Sequence, residues 1–135
     1  MTKTWTSRFA DLIVAHAVGD FILQSDWEAR NKPGGLGTDP TSRRALGSHV
    51  AVYTLACSGV LVGVARSRGV SAAALAAAAI ALPHAIVDDR GLLRLWLRDV
   101  KGLDVDETPP SLEFLVDQSM HLVCLWALAR ALGDD

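Results

Sequence analysis

Apolar positions along the chain fall into four long blocks, and polar residues enter each block only at helical spacing. The first block runs from about Thr6 to Gln24. Phe9 to Val18 is nearly continuous in apolar side chains, and Phe21-Ile22-Leu23 follows. The second has no charged residue between Arg44 and Arg66, a run of 21 residues. The third is uncharged from Gly69 to Val87, 19 residues rich in alanine. The fourth starts after Thr108-Pro-Pro-Ser and reaches about Leu132, apolar from Leu122 through Ala129. Blocks of this length are helices rather than strands, so the fold class is all-α.

Two of these blocks have the length of a membrane span. A helix at the surface of a soluble bundle shows a charged outer face. Blocks two and three show none, and a chain this short cannot bury four such helices. In the first block Trp5 and Trp27 lie 22 residues apart, about 33 Å along a helix, like the aromatic belts at the two faces of a bilayer. The pattern therefore predicts a four-helix antiparallel transmembrane bundle, with a soluble four-helix bundle as the alternative.

Between the blocks, residues 25–40 read as a loop broken by Pro33-Gly-Gly-Leu-Gly, and Asp39-Pro40 reads as a helix start. Pro83 should loosen the third helix near its end. Residues 90–101, with Trp96, read as a short amphipathic helix lying along the interface between helices three and four.

Composition adds a few exclusions. At 135 residues the chain is one domain, a single polytopic unit spanning residues 1–135. A net charge of −2 with no basic run argues against nucleic acid. Cys57 and Cys124 lie inside apolar blocks and form neither a disulfide framework nor a zinc-knuckle spacing. With four spans, eight of the 13 Lys and Arg residues fall on the side of the two long loops. Lys3, Arg8, Arg66, Arg68 and Arg130 fall on the other. The positive-inside rule then puts the long loops in the cytoplasm.

The chemistry is concentrated in the histidines. His16 and Asp20, His84 and Asp88, and Asp117 and His121 are all spaced i, i+4, which puts each pair on one helix face. His49 shares a face with Tyr53 and Cys57. In an antiparallel bundle all seven groups fall in the half nearest the long loops. A carboxylate at a helix centre in a membrane costs about 2.5–3.5 kcal/mol, so these groups must face one another, water or a cation.

Three arrangements satisfy that demand: a metal site, a relay of coupled His–Asp pairs, or interhelical hydrogen bonds without chemistry. The metal site is the one we expect, with His16, Asp20, His49, His84, Asp88, Asp117 and His121 as ligands. Zinc is the first choice of divalent ion, with iron or manganese as alternatives. As an enzyme the protein would be a metal-dependent hydrolase acting on an amphiphilic substrate. Asp20, Asp88 and Asp117 would be the candidate acid–base groups, with Gln24, Arg43, Arg44, Arg90 and Gln118 binding substrate. The alternative is a non-enzymatic module, either an ion or proton conduit or a partner of another membrane protein. No nucleophile elbow, P-loop or dinucleotide fingerprint is present.

The motif His16-x-x-x-Asp20-Phe-Ile-Leu-Gln24, followed by Asp26-Trp27 and Asn31-Lys32, resembles the opening of a bacterial membrane-protein family, domain of unknown function 3307. His49, His84-x-x-x-Asp88 and Asp117-Gln-x-x-His121 are similar to the later parts of that pattern. The resemblance implies a small polytopic protein of the bacterial cytoplasmic membrane, with the lipid bilayer, and a homo-oligomer or membrane-protein partner, as its surroundings. It implies no activity.

Overall fold

The computed structural model describes residues 4–133, and among them every regular element is helical. Lys3 and the terminal Asp134-Asp135 lie outside the described residues. Helix α1 (Trp5–Ala17) opens with the Thr4 side chain accepting from the Ser7 N–H at 3.3 Å. It passes without a break into a π-helical segment, Val18–Leu23. Such wide turns recur at functional sites. Here the wide turn directs the neighbouring Gly19 and Asp20 both inward.

Residues 26–31 are not loop, as the Pro/Gly pattern suggested, but a short helix α2 (Asp26–Asn31). It is nucleated by a capping box: the Ser25 side chain accepts from the Glu28 N–H, and Glu28 reaches back to the Ser25 N–H. Glu28 also accepts from the hydroxyls of Ser25 (2.8 Å) and Ser48 (2.7 Å), which ties α2 to α3. Burial pushes the Glu28 pKa up, but these hydrogen bonds outweigh it and hold the carboxyl below the ordinary range. Its stabilisation is full above the unfolded value of about 4.3 and is lost as pH falls through the lower folded value. Amide exchange at Glu28 and Ala29 should therefore accelerate, relative to the intrinsic rate, on acidification below about pH 4. The Glu28→Gln variant should lack that step.

Helix α3 (Pro40–Ala56) begins as expected, with Asp39 accepting from the Ser42 N–H at 2.7 Å and Pro40 in the first turn. The uncharged second block is not one straight span. It breaks at Cys57 and continues as α4 (Ser58–Arg68), bent by 58° from α3. Ser58-Gly59 directly after the break supplies the usual Ser/Gly cause of a kink. Helix α5 (Val70–Asp88) continues through Pro83. Helix α6 (Gly91–Leu95) and a second π-helical segment, Trp96–Val100, form the short connecting element, with Leu93 and Leu97 buried. Helix α7 (Pro110–Leu132) completes the fold.

α1 packs on α7, α7 on α5, and α5 on both α3 and α4, while α1 touches α3 and α4 to close the bundle. Half of the interior is apolar, around Leu12, Cys57, Val64, Ile80, Leu125 and Ala129. The other half is the polar cluster described below.

Many large apolar side chains lie on the outside. Leu55, Leu75 and Val123 are 70%, 73% and 63% exposed. α5 and α7 are long and apolar enough to cross a membrane, and the bent α3–α4 pair adds a third candidate if it is counted as one span. The first block does not qualify, because its regular α-helix ends at Ala17 and carries Arg8, Asp11 and His16.

Candidate metal centre

Four helices and the first π-turn bring the ionisable groups together. α1 and its π-turn supply His16 and Asp20, α3 supplies His49, α5 supplies His84 and Asp88, and α7 supplies Asp117 and His121. All four histidines are buried, as are Asp20 and Asp88.

The centre of the cluster is an edge between two ring nitrogens, His49 Nε2 and His84 Nε2, 3.0 Å apart. Asp88 Oδ2 closes a triangle on that edge, 3.0 Å from each nitrogen. Asp20 Oδ1 closes a second, at 3.3 and 3.5 Å. Neither carboxylate oxygen makes an aligned hydrogen bond. Ligand atoms held about 2.0–2.2 Å from one ion lie about 2.9–3.5 Å from each other, the range of these contacts. The His49–His84 contact has the geometry of a hydrogen bond, while the two carboxylate oxygens beside it have no hydrogen-bond partner, and a cation on this edge would engage them. Asp20, His49 and His84 form a group able to hold a metal ion.

His16 is engaged differently. Its Nδ1 accepts from the Tyr53 hydroxyl at 3.1 Å, and its Nε2–H donates to Gln118 Oε1 at 3.0 Å. The Gln118 amide then donates to Asp117 Oδ2, also at 3.0 Å. Every donor in this chain has an acceptor, and the chain crosses α3, α1 and α7. His16, His84 and His121 also bring nitrogens within 4.8 Å of one another. Both His16 nitrogens are thus engaged in hydrogen bonds, a geometry that suits an orienting part better than a ligand's. The Tyr53 ring stacks on His84 with centroids 3.5 Å apart, so one side chain positions both histidines.

Gly19 makes room for that ring. A Cβ there would lie 2.6 Å from Tyr53 Cδ2. Gly19→Ala should push Tyr53 off His84 and destabilise the protein by about 1–3 kcal/mol, the usual range for overpacking. Tyr53→Phe, which keeps the stack and loses the hydrogen bond, should cost about 0.5–1.5 kcal/mol. Thermal unfolding in detergent measures both.

One residue of the centre stands in the family motif but was not placed in the site by the sequence reading. Lys32 is buried, and its ammonium donates to Asp88 Oδ1 at 2.8 Å and to Gln24 Oε1 at 3.2 Å. The capping box at Ser25 and Glu28 was the available signal, since it starts the helix that ends beside Lys32. Above the cluster opens a cleft of about 220 Å³, lined in part by Gln24, Lys32, Arg90, Asp117 and Gln118. Arg90 adopts a left-handed backbone (φ +65°) and pairs with Glu113 at 3.5 Å. Arg43 and Arg44 do not join them. Both are exposed, and Arg44 covers the Trp27 ring at 5.6 Å, because the first turn of α3 faces outward.

A family model described as a protein of unknown function, DUF3307, matches residues 9–134. The chain belongs to the DUF3307 family. No curated protein and no solved structure matches it. The match begins within α1 and takes in all seven His and Asp residues of the polar centre, so this DUF3307 chain carries its polar centre within the family domain.

Proposed function

We propose that the protein is a multi-pass protein of the cytoplasmic membrane that binds a divalent metal ion through His49, His84, Asp20 and Asp88. The observation that carries the reading is the pair of triangles on the His49–His84 edge. Charge supports it too. Of the two buried carboxylates Asp88 holds the Lys32 ammonium and Asp20 lies against imidazoles alone, and a buried negative charge costs several kcal/mol unless a cation, a metal ion or a protonated imidazole, compensates it. Zinc suits an imidazole and carboxylate set, as do iron and manganese.

The membrane reading rests on the apolar exterior and polar interior. α5, α7 and the bent α3–α4 pair supply three spans, and the π-extended α1, too short and polar to qualify by itself, packs against α7 as the fourth of a single domain. The two long connections, carrying α2 and α6, lie at the cytoplasmic face. The bilayer is the partner of the exposed leucines and valines.

The chemistry that fits is metal-dependent hydrolysis of an anionic amphiphile. A metal ion held there would supply a water of lowered pKa. Asp117, partly exposed in the cleft, would take its proton, and Arg90 and Gln24 would hold the anionic group. The unbroken series of His–Asp contacts from His16 through Asp20, His49, Asp88 and His121 to Asp117 favours a second reading, a proton relay.

Elemental analysis of the detergent-purified protein beside His84→Ala, with proton flux measured in proteoliposomes, separates the two. Near-stoichiometric metal lost in the variant supports the first. Flux without metal supports the second.

A further inference from the structure

We propose that the centre is dinuclear: a second divalent ion binds between Asp88 Oδ1, His121 Nε2 and Asp117 Oδ2, where it displaces the Lys32 ammonium. This inference rests on the metal reading above and adds a second position to it. Asp88 has two oxygens and uses them on opposite sides. Oδ2 faces His49 and His84, while Oδ1 lies 3.4 Å from His121 Nε2. His121 Nε2 is in turn 3.8 Å from Asp117 Oδ2, and these three residues form a second group able to hold a metal ion.

The independent observation is His121 itself. Its side chain is 3% exposed, and its Nε2 points at both carboxylates without making a hydrogen bond to either. A histidine kept for packing or for a hydrogen bond would not leave that nitrogen unused. A cation is moreover already present there, since the Lys32 ammonium sits on Asp88 Oδ1 at 2.8 Å.

Lys32 lines the cleft, so its head group has open space to move into when an ion takes its place. Asp88 then bridges two ions, the arrangement by which two-metal sites clamp both the attacking and the leaving oxygen. The His49–His84 ion is the deeper one. The second faces the cleft through Asp117, whose side chain is 15% exposed and which, holding an ion, is a ligand and no longer the base of the one-metal reading.

The full chain in detergent is titrated with Zn²⁺, Mn²⁺ and Fe²⁺ separately, and bound metal is counted. Close to two ions per chain are expected for the best ion, falling to one in His121→Ala. Lys32→Met should tighten the second binding event by about ten-fold or more, because it removes a like charge at contact distance. It should leave the first event unchanged or slightly tighter. This readout still decides the matter if His121→Ala fails to fold.

One ion in the wild type, lost in His49→Ala and kept in His121→Ala, overturns the second site and leaves the first intact. Two ions with no response to Lys32→Met overturn its placement at Asp88 Oδ1. No ion in the wild type overturns both proposals.

Discussion

His84→Ala is expected to strip the purified protein of divalent metal. His84 Nε2 belongs to both triangles of the centre, 3.0 Å from His49 Nε2 and Asp88 Oδ2 and 3.5 Å from Asp20 Oδ1. Alanine removes that ligand and also the surface on which Tyr53 stacks. Loss of groups that merely orient ligands costs about 10–100-fold in metal affinity, so loss of a direct ligand should exceed about 100-fold. His16→Ala is the matched control. Its nitrogens bond Tyr53 and Gln118, so it should weaken binding only within the smaller range and keep full occupancy at saturating metal. Competition titration against a chromophoric chelator reads both. Unchanged affinity in His84→Ala would falsify the metal proposal.

The largest loss of stability is expected from Asp88→Asn. Asp88 is 1% exposed, and its Oδ1 holds the buried Lys32 ammonium at 2.8 Å. Neutralising it leaves that ammonium without a counter-charge in an environment that solvates it poorly. Breaking one side of a buried ion pair costs about 3–5 kcal/mol. The double variant Asp88→Asn with Lys32→Met should recover a large part of the loss, because a neutral pair no longer carries a stranded charge. Thermal unfolding of the metal-free proteins in one detergent gives the cycle. Additive losses in the double variant would show that the two residues do not depend on each other.

The part of the site that was legible lies within single helices. His16 with Asp20, His84 with Asp88, Asp117 with His121, and His49 with Tyr53 are spacings that fix a shared face wherever the helix ends up. The same logic placed all seven groups at one end of the bundle, and the structure gathers them there.

Three features were hidden. The bend at Cys57 leaves no mark on hydropathy, since the run from Ala45 to Ala65 is uncharged on both sides of it. Helix α2 was masked by the Pro/Gly cluster that follows it, although Ser25 and Glu28 carry its capping box. Lys32 lies 56 residues from Asp88, and an isolated loop lysine resembles any surface cation.

Sequence alone determined that the protein is helical, that some of its blocks are long and apolar enough to cross a membrane, and that each His–Asp pair shares a helix face. These follow from periodicity, a property of one helix and its neighbours in sequence. Only the tertiary structure decided how the groups divide. Asp20 and Asp88 each contact the His49–His84 edge, His16 is held between Tyr53 and Gln118, Lys32 enters the centre, and Arg43 and Arg44 stay outside it. That division depends on the rotation of each helix about its axis and on the bends between helices. A change of about 100° in rotation, one residue's worth, would turn a ligand into a spectator without altering a single spacing.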